Sequence, residues 1–331
     1  MYVMKHQRLV MIIEHGCELI SIISPFISFI HFHSSRKKLK NIFRLLDSSL
    51  YNKKLRIWKK EGFLCLLAII YGIILTLLRI LDLRTYDRDV YFERYMFDVD
   101  ITQLSNMTCD GLVIADFLTY IWIIVVPKVL FYVLFSSLCN FIKIEFLSFN
   151  KCIQNLQECT CSRGKMIKLA YHYINACEAV LIIDNIYSSL LFWWFAGALI
   201  DITFSCFDII EKSDFLETLV EKIYYVSIIF FESAFFIILT VQASDVTLES
   251  QKEINQLFRL STYSMNYCPE DREASRILLL RCNLLPPQFT AWKAFYITRS
   301  FIFTVFGLIS TYLIVLFQLQ APPGNKNSEE T

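Results

Sequence analysis

Three carboxylates, Asp116, Asp201 and Glu232, lie in or beside stretches that are otherwise strongly apolar. An ionisable group in such surroundings is costly unless it is paired or used, so each is a candidate site residue. Tyr120, Trp122, Trp193 and Trp194 belong to the same stretches and offer flat walls with a polar edge, suited to an apolar or sugar-like molecule. Together these seven residues form a candidate ligand-binding set. A second reading places Asp116 and Asp201 at a membrane–water boundary and the aromatic residues in an interfacial belt, leaving only Glu232 well inside an apolar run. A third makes the acids a proton relay or a site for a cationic substrate, as in a secondary transporter. Against it stand the absence of a visible internal repeat and of paired Gly/Pro-broken spans.

Catalytic chemistry finds no support. The histidines are His6, His15, His31, His33 and His172, and the close pair His31/His33 has no acid or cysteine beside it. Glu14-His15 lacks the second histidine of a zinc-protease helix, and neither a Gly-rich phosphate loop nor a serine elbow is present. Cys159 and Cys161 are too close in sequence for a usual zinc pair. The expectation is no enzyme, no metal and no cofactor.

The elements that must carry these residues follow from composition. Of 331 residues, 55% are hydrophobic and 19% charged, and mean hydropathy is +0.46, whereas soluble chains hold about 25% charged residues. With 32 basic against 31 acidic residues there is no general attraction to nucleic acid, so any charge signal is positional. Few Gly and Pro residues and 29 Phe point to long helices buried on all sides. A membrane helix needs about 20 mostly apolar residues. Six segments qualify: Leu9 to Phe32, Phe63 to Leu83, Leu112 to Leu138, Glu178 to Phe207, Lys222 to Val241 and Thr298 to Gln318. The fold class is an all-α, polytopic transmembrane helical bundle forming one domain over 1–331.

Lys and Arg collect in cytoplasmic loops, which orients the bundle. The loop from Arg36 to Lys60 is strongly basic and therefore inside. The next loop is acidic and contains Asn106-Met107-Thr108, an N-glycosylation acceptor, so it lies outside. Lys143, Lys151, Arg163, Lys165 and Lys168 return the third loop to the cytoplasm, and the fourth, with Asp208, Glu211, Asp214 and Glu217, is again outside. Residues 242–297 are read as a cytoplasmic, helical segment leading into the last span at 298–318, which leaves the C-terminus extracellular. That orientation is opposite to a G-protein-coupled receptor. Cys109 and Cys206 both fall near the outer face, where a disulfide is chemically permitted.

The last span ends Thr311-Tyr312-Leu313-Ile314-Val315-Leu316-Phe317-Gln318 close to the C-terminus, and this resembles the signature of the insect gustatory receptor family. There the pattern is Thr-Tyr, five hydrophobic residues, then Gln-Phe; here Leu319 replaces the final Phe. Fainter similarity lies in Asp184-Asn185-Ile186-Tyr187 and in the polar stretch from Ala243 to Leu260. Family members have seven spans, so the resemblance aligns Leu9 to Phe32 with their second helix and implies that the first is absent.

The resemblance implies a gustatory-type receptor subunit in the plasma membrane: a homo- or hetero-tetramer with related subunits, opened by an extracellular small-molecule tastant and passing cations without strong selectivity. Thr311, Val315 and Gln318 stand at i, i+4 and i+7, one face of a helix. By resemblance Val315 is assigned to the gate and Gln318 to the filter, with Thr311 and Tyr312 beside them. The competing structural reading packs this face against another helix of the same chain, with Thr311 and Gln318 hydrogen-bonded across it. Arg299, at the inner end, would repel cations from a pore and is expected to pair elsewhere or snorkel. A nonconducting accessory subunit is a further alternative.

Overall fold

The computed structural model describes residues 126–158, 165–211, 219–252 and 286–320, with short stretches at 33–38, 72–74 and 276–280 and a few single positions. The expected spans Leu9 to Phe32 and Phe63 to Leu83 lie almost wholly outside the described residues. Within them the chain is helical apart from one small hairpin and the short segments flanking it. In order come α1 (Val126–Glu158), α2 (Lys165–Glu211), α3 (Leu219–Gln251), strands β1 (Thr290–Ala291) and β2 (Phe295–Tyr296), and α4 (Arg299–Gln320). Among the described residues three stretches are long and apolar enough to cross a membrane: Lys128–Asn155, Met166–Phe207 and Lys222–Gln251; Arg299–Val315 is a shorter apolar helix.

The helices run well past the ends expected from hydropathy. α1 continues through Leu138 to Glu158, and α2 begins at Lys165, so most of the stretch read as a third loop is two helix extensions. The reason is a packing seam that outlasts the apolar stretches picked out by hydropathy. On α1 it is Leu138, Ile142, Phe146, Phe149 and Ile153; on α2 it is Met166, Leu169, Tyr173 and Cys177, all buried. The spacings of three and four put each set on one face, and Tyr173 meets Phe146 and Phe149 with ring centroids 5.6 and 4.9 Å apart. A hydropathy window falls with the lysines on the opposite face, whereas the helix is held by this aromatic seam. α3 likewise continues past Val241, with Ala243 and Val246 buried.

The segment 242–297 thus opens as the last turns of α3 and closes in an antiparallel hairpin that pairs Thr290 with Tyr296 and Ala291 with Phe295. Trp292, Lys293 and Ala294 form its loop, and α4 starts three residues after β2. Thr298, a favoured residue type at a helix start, accepts the Phe301 amide at 3.1 Å through its carbonyl.

Phe195 of α2, Phe236 of α3 and Phe301 of α4 stack with centroid separations of 5.1 to 5.7 Å, joining three helices at the base of α4. Val305 and Ile309 continue that seam and are buried, with Ile302, Phe306 and Leu313 half-buried beside them.

Candidate functional site

Lys128, in the opening turn of α1, meets Glu232 of α3 at 2.7 Å and Asp201 of α2 at 3.6 Å. Two of the acids singled out from sequence are therefore brought together, by a lysine the sequence reading had passed over. The signal was present: Lys128 is the one basic residue in the apolar run from Leu112 to Leu138. In apolar surroundings a lone cation is as costly as a lone acid and needs the same explanation. All three side chains are mostly withdrawn from solvent. The cluster has one positive and two negative groups, and Glu232 Oε2 is buried without a protein partner.

One turn along α1, Tyr132 sets its ring edge-on to Trp194 at 5.0 Å and against Phe235 at 4.9 Å. Trp194 is itself buried between α1 and α2, so it forms the aromatic floor adjoining the ion cluster. Trp193 points elsewhere, packing with Phe192 and with Trp292 of the hairpin loop at 5.8 Å in each case. Adjacent helical positions differ by about 100° in direction, which is why the two tryptophans part company. Asp116, Tyr120 and Trp122 lie outside the described residues, as does Asn106. Cys206 is a free thiol, and Cys109, offered as its partner, is also outside them.

A second polar centre lies near the middle of α2, about 20–25 Å along its axis from Asp201. Asp184 of α2, only 2% exposed, accepts the Thr290 amide at 2.6 Å, the Thr290 hydroxyl at 2.9 Å and the Lys293 ammonium at 2.6 Å. One turn on, Ser188 meets the Thr290 hydroxyl at 2.9 Å and accepts the Lys293 amide at 3.0 Å, while its carbonyl accepts the Trp292 amide at 2.7 Å. A carboxylate with this many donors is satisfied despite its burial. Beside it, Asp245 of α3 binds Lys143 of α1 at 2.5 Å and Arg299 of α4 at 2.6 Å. Arg299 thus pairs elsewhere, as expected.

The four motif residues share one trait. Thr311, Tyr312, Val315 and Gln318 are all exposed, and the Thr311 hydroxyl bonds back to the Gly307 carbonyl at 2.9 Å and not to another helix. Phe303, Leu308 and Ile314 are large apolar residues that are exposed on the same helix. Its packing seam among the described residues ends near Leu313.

Comparison with known proteins accounts for this architecture. A family model described as 7tm chemosensory receptor matches residues 1–321. Over 176 residues the chain is 25% identical to the gustatory receptor for sugar taste 64a of Drosophila melanogaster, covering 53% of this chain and 36% of that receptor. The match thus spans about a third of the relative's length. The insect olfactory receptor OR5 from Machilis hrabei superposes with a TM-score of 0.64 at 15% identity, over 92% of this chain and 80% of that one. OR5 in complex with eugenol gives 0.66 at 16%, over 90% and 79%. At such identities the likeness is one of fold, and that fold is a helical membrane bundle. With a family match along nearly its whole length, the chain belongs to the 7tm chemosensory receptor family, within the insect chemoreceptors that the stretch from Thr311 to Gln318 resembles.

Proposed function

We propose that this chain is a chemosensory receptor subunit of the plasma membrane that binds an extracellular small molecule and opens a nonselective cation pore. The observation that carries the reading is the division of α4. Its base is packed against α2 and α3, while the half bearing Thr311, Tyr312, Val315 and Gln318 is exposed and sets polar side chains among apolar ones, a surface that suits a neighbouring subunit or a pore better than lipid. Four copies of that half, arranged about an axis, would cover it and place Val315 as a narrow apolar ring, with the Gln318 amides toward the outer mouth.

In the predicted orientation the Lys128, Asp201 and Glu232 cluster lies in the outer half of the bundle, within reach of a ligand from outside. Its surplus carboxylate and the unpartnered Glu232 Oε2 suit a ligand that donates hydrogen bonds, and Tyr132 and Trp194 supply the apolar wall. A gustatory receptor named for sugar taste and a solved complex with eugenol among the similar proteins supply two probes that carry hydroxyl groups.

The test is current recorded from cells expressing the chain, alone and with related subunits, under a panel of sugars and eugenol. Ligand-evoked cation current is expected. Gln318→Ala should change relative ion permeability at unchanged surface amount; unchanged permeation in a working assembly overturns the assignment of α4 to the pore. Ligand uptake without current would replace the channel by a transporter.

A further inference from the structure

α2 is one unbroken helix that carries Asp201 toward one end and Ser188 and Asp184 about 20 and 25 Å away along its axis, at 1.5 Å per residue. Asp201 joins the cluster that ties α1, α2 and α3 together. Asp184 and Ser188 hold the hairpin that leads directly into α4. The base of α4 is tied separately to α3 and α1 through Arg299, Asp245 and Lys143. The same three helices thus meet at the ion cluster and again at the root of the last helix.

The hairpin loop is strained. Trp292 and Lys293 have φ of 50° and 57°, in the left-handed region that residues with a Cβ seldom adopt. Both are held there from α2: the Trp292 amide by the Ser188 carbonyl, the Lys293 amide by the Ser188 hydroxyl, and the Lys293 ammonium by Asp184. The hairpin's own turn bond, from the Ala294 amide to the Ala291 carbonyl, uses neither residue's amide. Contacts with α2 therefore oppose backbone strain, an arrangement that persists only while the surrounding structure enforces it.

We propose that Asp184, Ser188 and Lys293 form a strained latch through which a shift of α2 relative to α1 and α3 at the ion cluster is passed to the base of α4. They are positioning residues and touch no ligand. Latched and relaxed loops are two discrete states, α2 is the rigid element between the sites, and a change in the partners of Asp201 biases both. The purpose of the latch rests on the receptor reading above; its coupling to the cluster does not.

Hydrogen exchange on the full chain in lipid nanodiscs, followed in peptides covering 289–297, tests the coupling without ligand or current. Asp201→Asn should change hairpin exchange by about five-fold or more, and Lys293→Met should abolish that response. Lys293 is 55% exposed, so the methionine removes the charge without opening the core, and Lys293→Arg should restore the response. Hairpin exchange indifferent to Asp201→Asn, or a response that survives Lys293→Met, overturns the latch. In cells that conduct, Lys293→Met should also shift the half-maximal eugenol or sucrose concentration about five-fold at equal surface amount, and no shift overturns its part in gating. Exchange coupling with no current in any form would sustain the latch and remove the channel reading instead.

Discussion

Lys128 holds two carboxylates in an apolar setting, and its charge is the one whose loss leaves most behind. With the ammonium gone, Glu232 and Asp201 repel each other where little solvent screens them. Breaking a buried pair from one side costs about 3–5 kcal/mol, because the remaining charge has no partner. Lys128→Met should accordingly lower the thermal unfolding midpoint and the surface amount, whereas Lys128→Arg should leave both nearly intact. Adding Glu232→Gln to Lys128→Met should recover part of the loss, since it removes the stranded charge. Equal stability of Lys128→Met and the parent in nanodisc melting would refute a paired cluster. The Arg299 to Asp245 pair is a different case: Arg299 is largely exposed, so its contribution to stability is small and its interest lies in where it holds α4.

At the scale of elements, the extension of α1 and α2 beyond the apolar stretches makes a specific claim about what holds them. Phe146 is fully buried against Tyr173, while Ile167, on the outward side of α2, is exposed. Phe146→Ala should destabilise the chain by about 3–5 kcal/mol through the cavity it leaves. Ile167→Ala should stay within about 0.5 kcal/mol, and equal effects in a chemical melt would deny the seam. α4 shows the same logic in reverse. Its buried residues, Val305 and Ile309, belong to the first half, so anything that covers the second half must come from outside the described chain.

For the whole molecule, charge distribution predicts which way the bundle sits. A tag placed after Thr331 should bind antibody in intact cells; binding only after permeabilisation would invert every assignment of inside and outside made from the loops. In that orientation the ion cluster lies nearer the outer face than the hairpin latch, so one topology experiment constrains both sites. α2, at 47 residues and about 70 Å long, carries Asp184, Ser188 and Asp201 on one unbroken helix.

Sequence alone determined that the chain is a helical membrane bundle, because burial in lipid is an average property that composition and hydropathy report directly. It also pointed to the family, through Thr311, Tyr312 and Gln318, since a short motif near a chain end needs no three-dimensional context. Asp201 and Glu232 were legible as candidates because an acid in an apolar run stands out. Their meeting on Lys128 was not, because which faces of three helices converge depends on packing that no one-dimensional pattern specifies. α1 and α2 run past the stretches picked out by hydropathy because a window average counts every face of a helix, whereas Phe146, Phe149 and Tyr173 pack along one. The hairpin is the clearest case of a decision made by tertiary structure. Two-residue strands and left-handed Trp292 and Lys293 have no local preference behind them, and they exist because Asp184 and Ser188, about a hundred residues earlier, supply the partners that hold them.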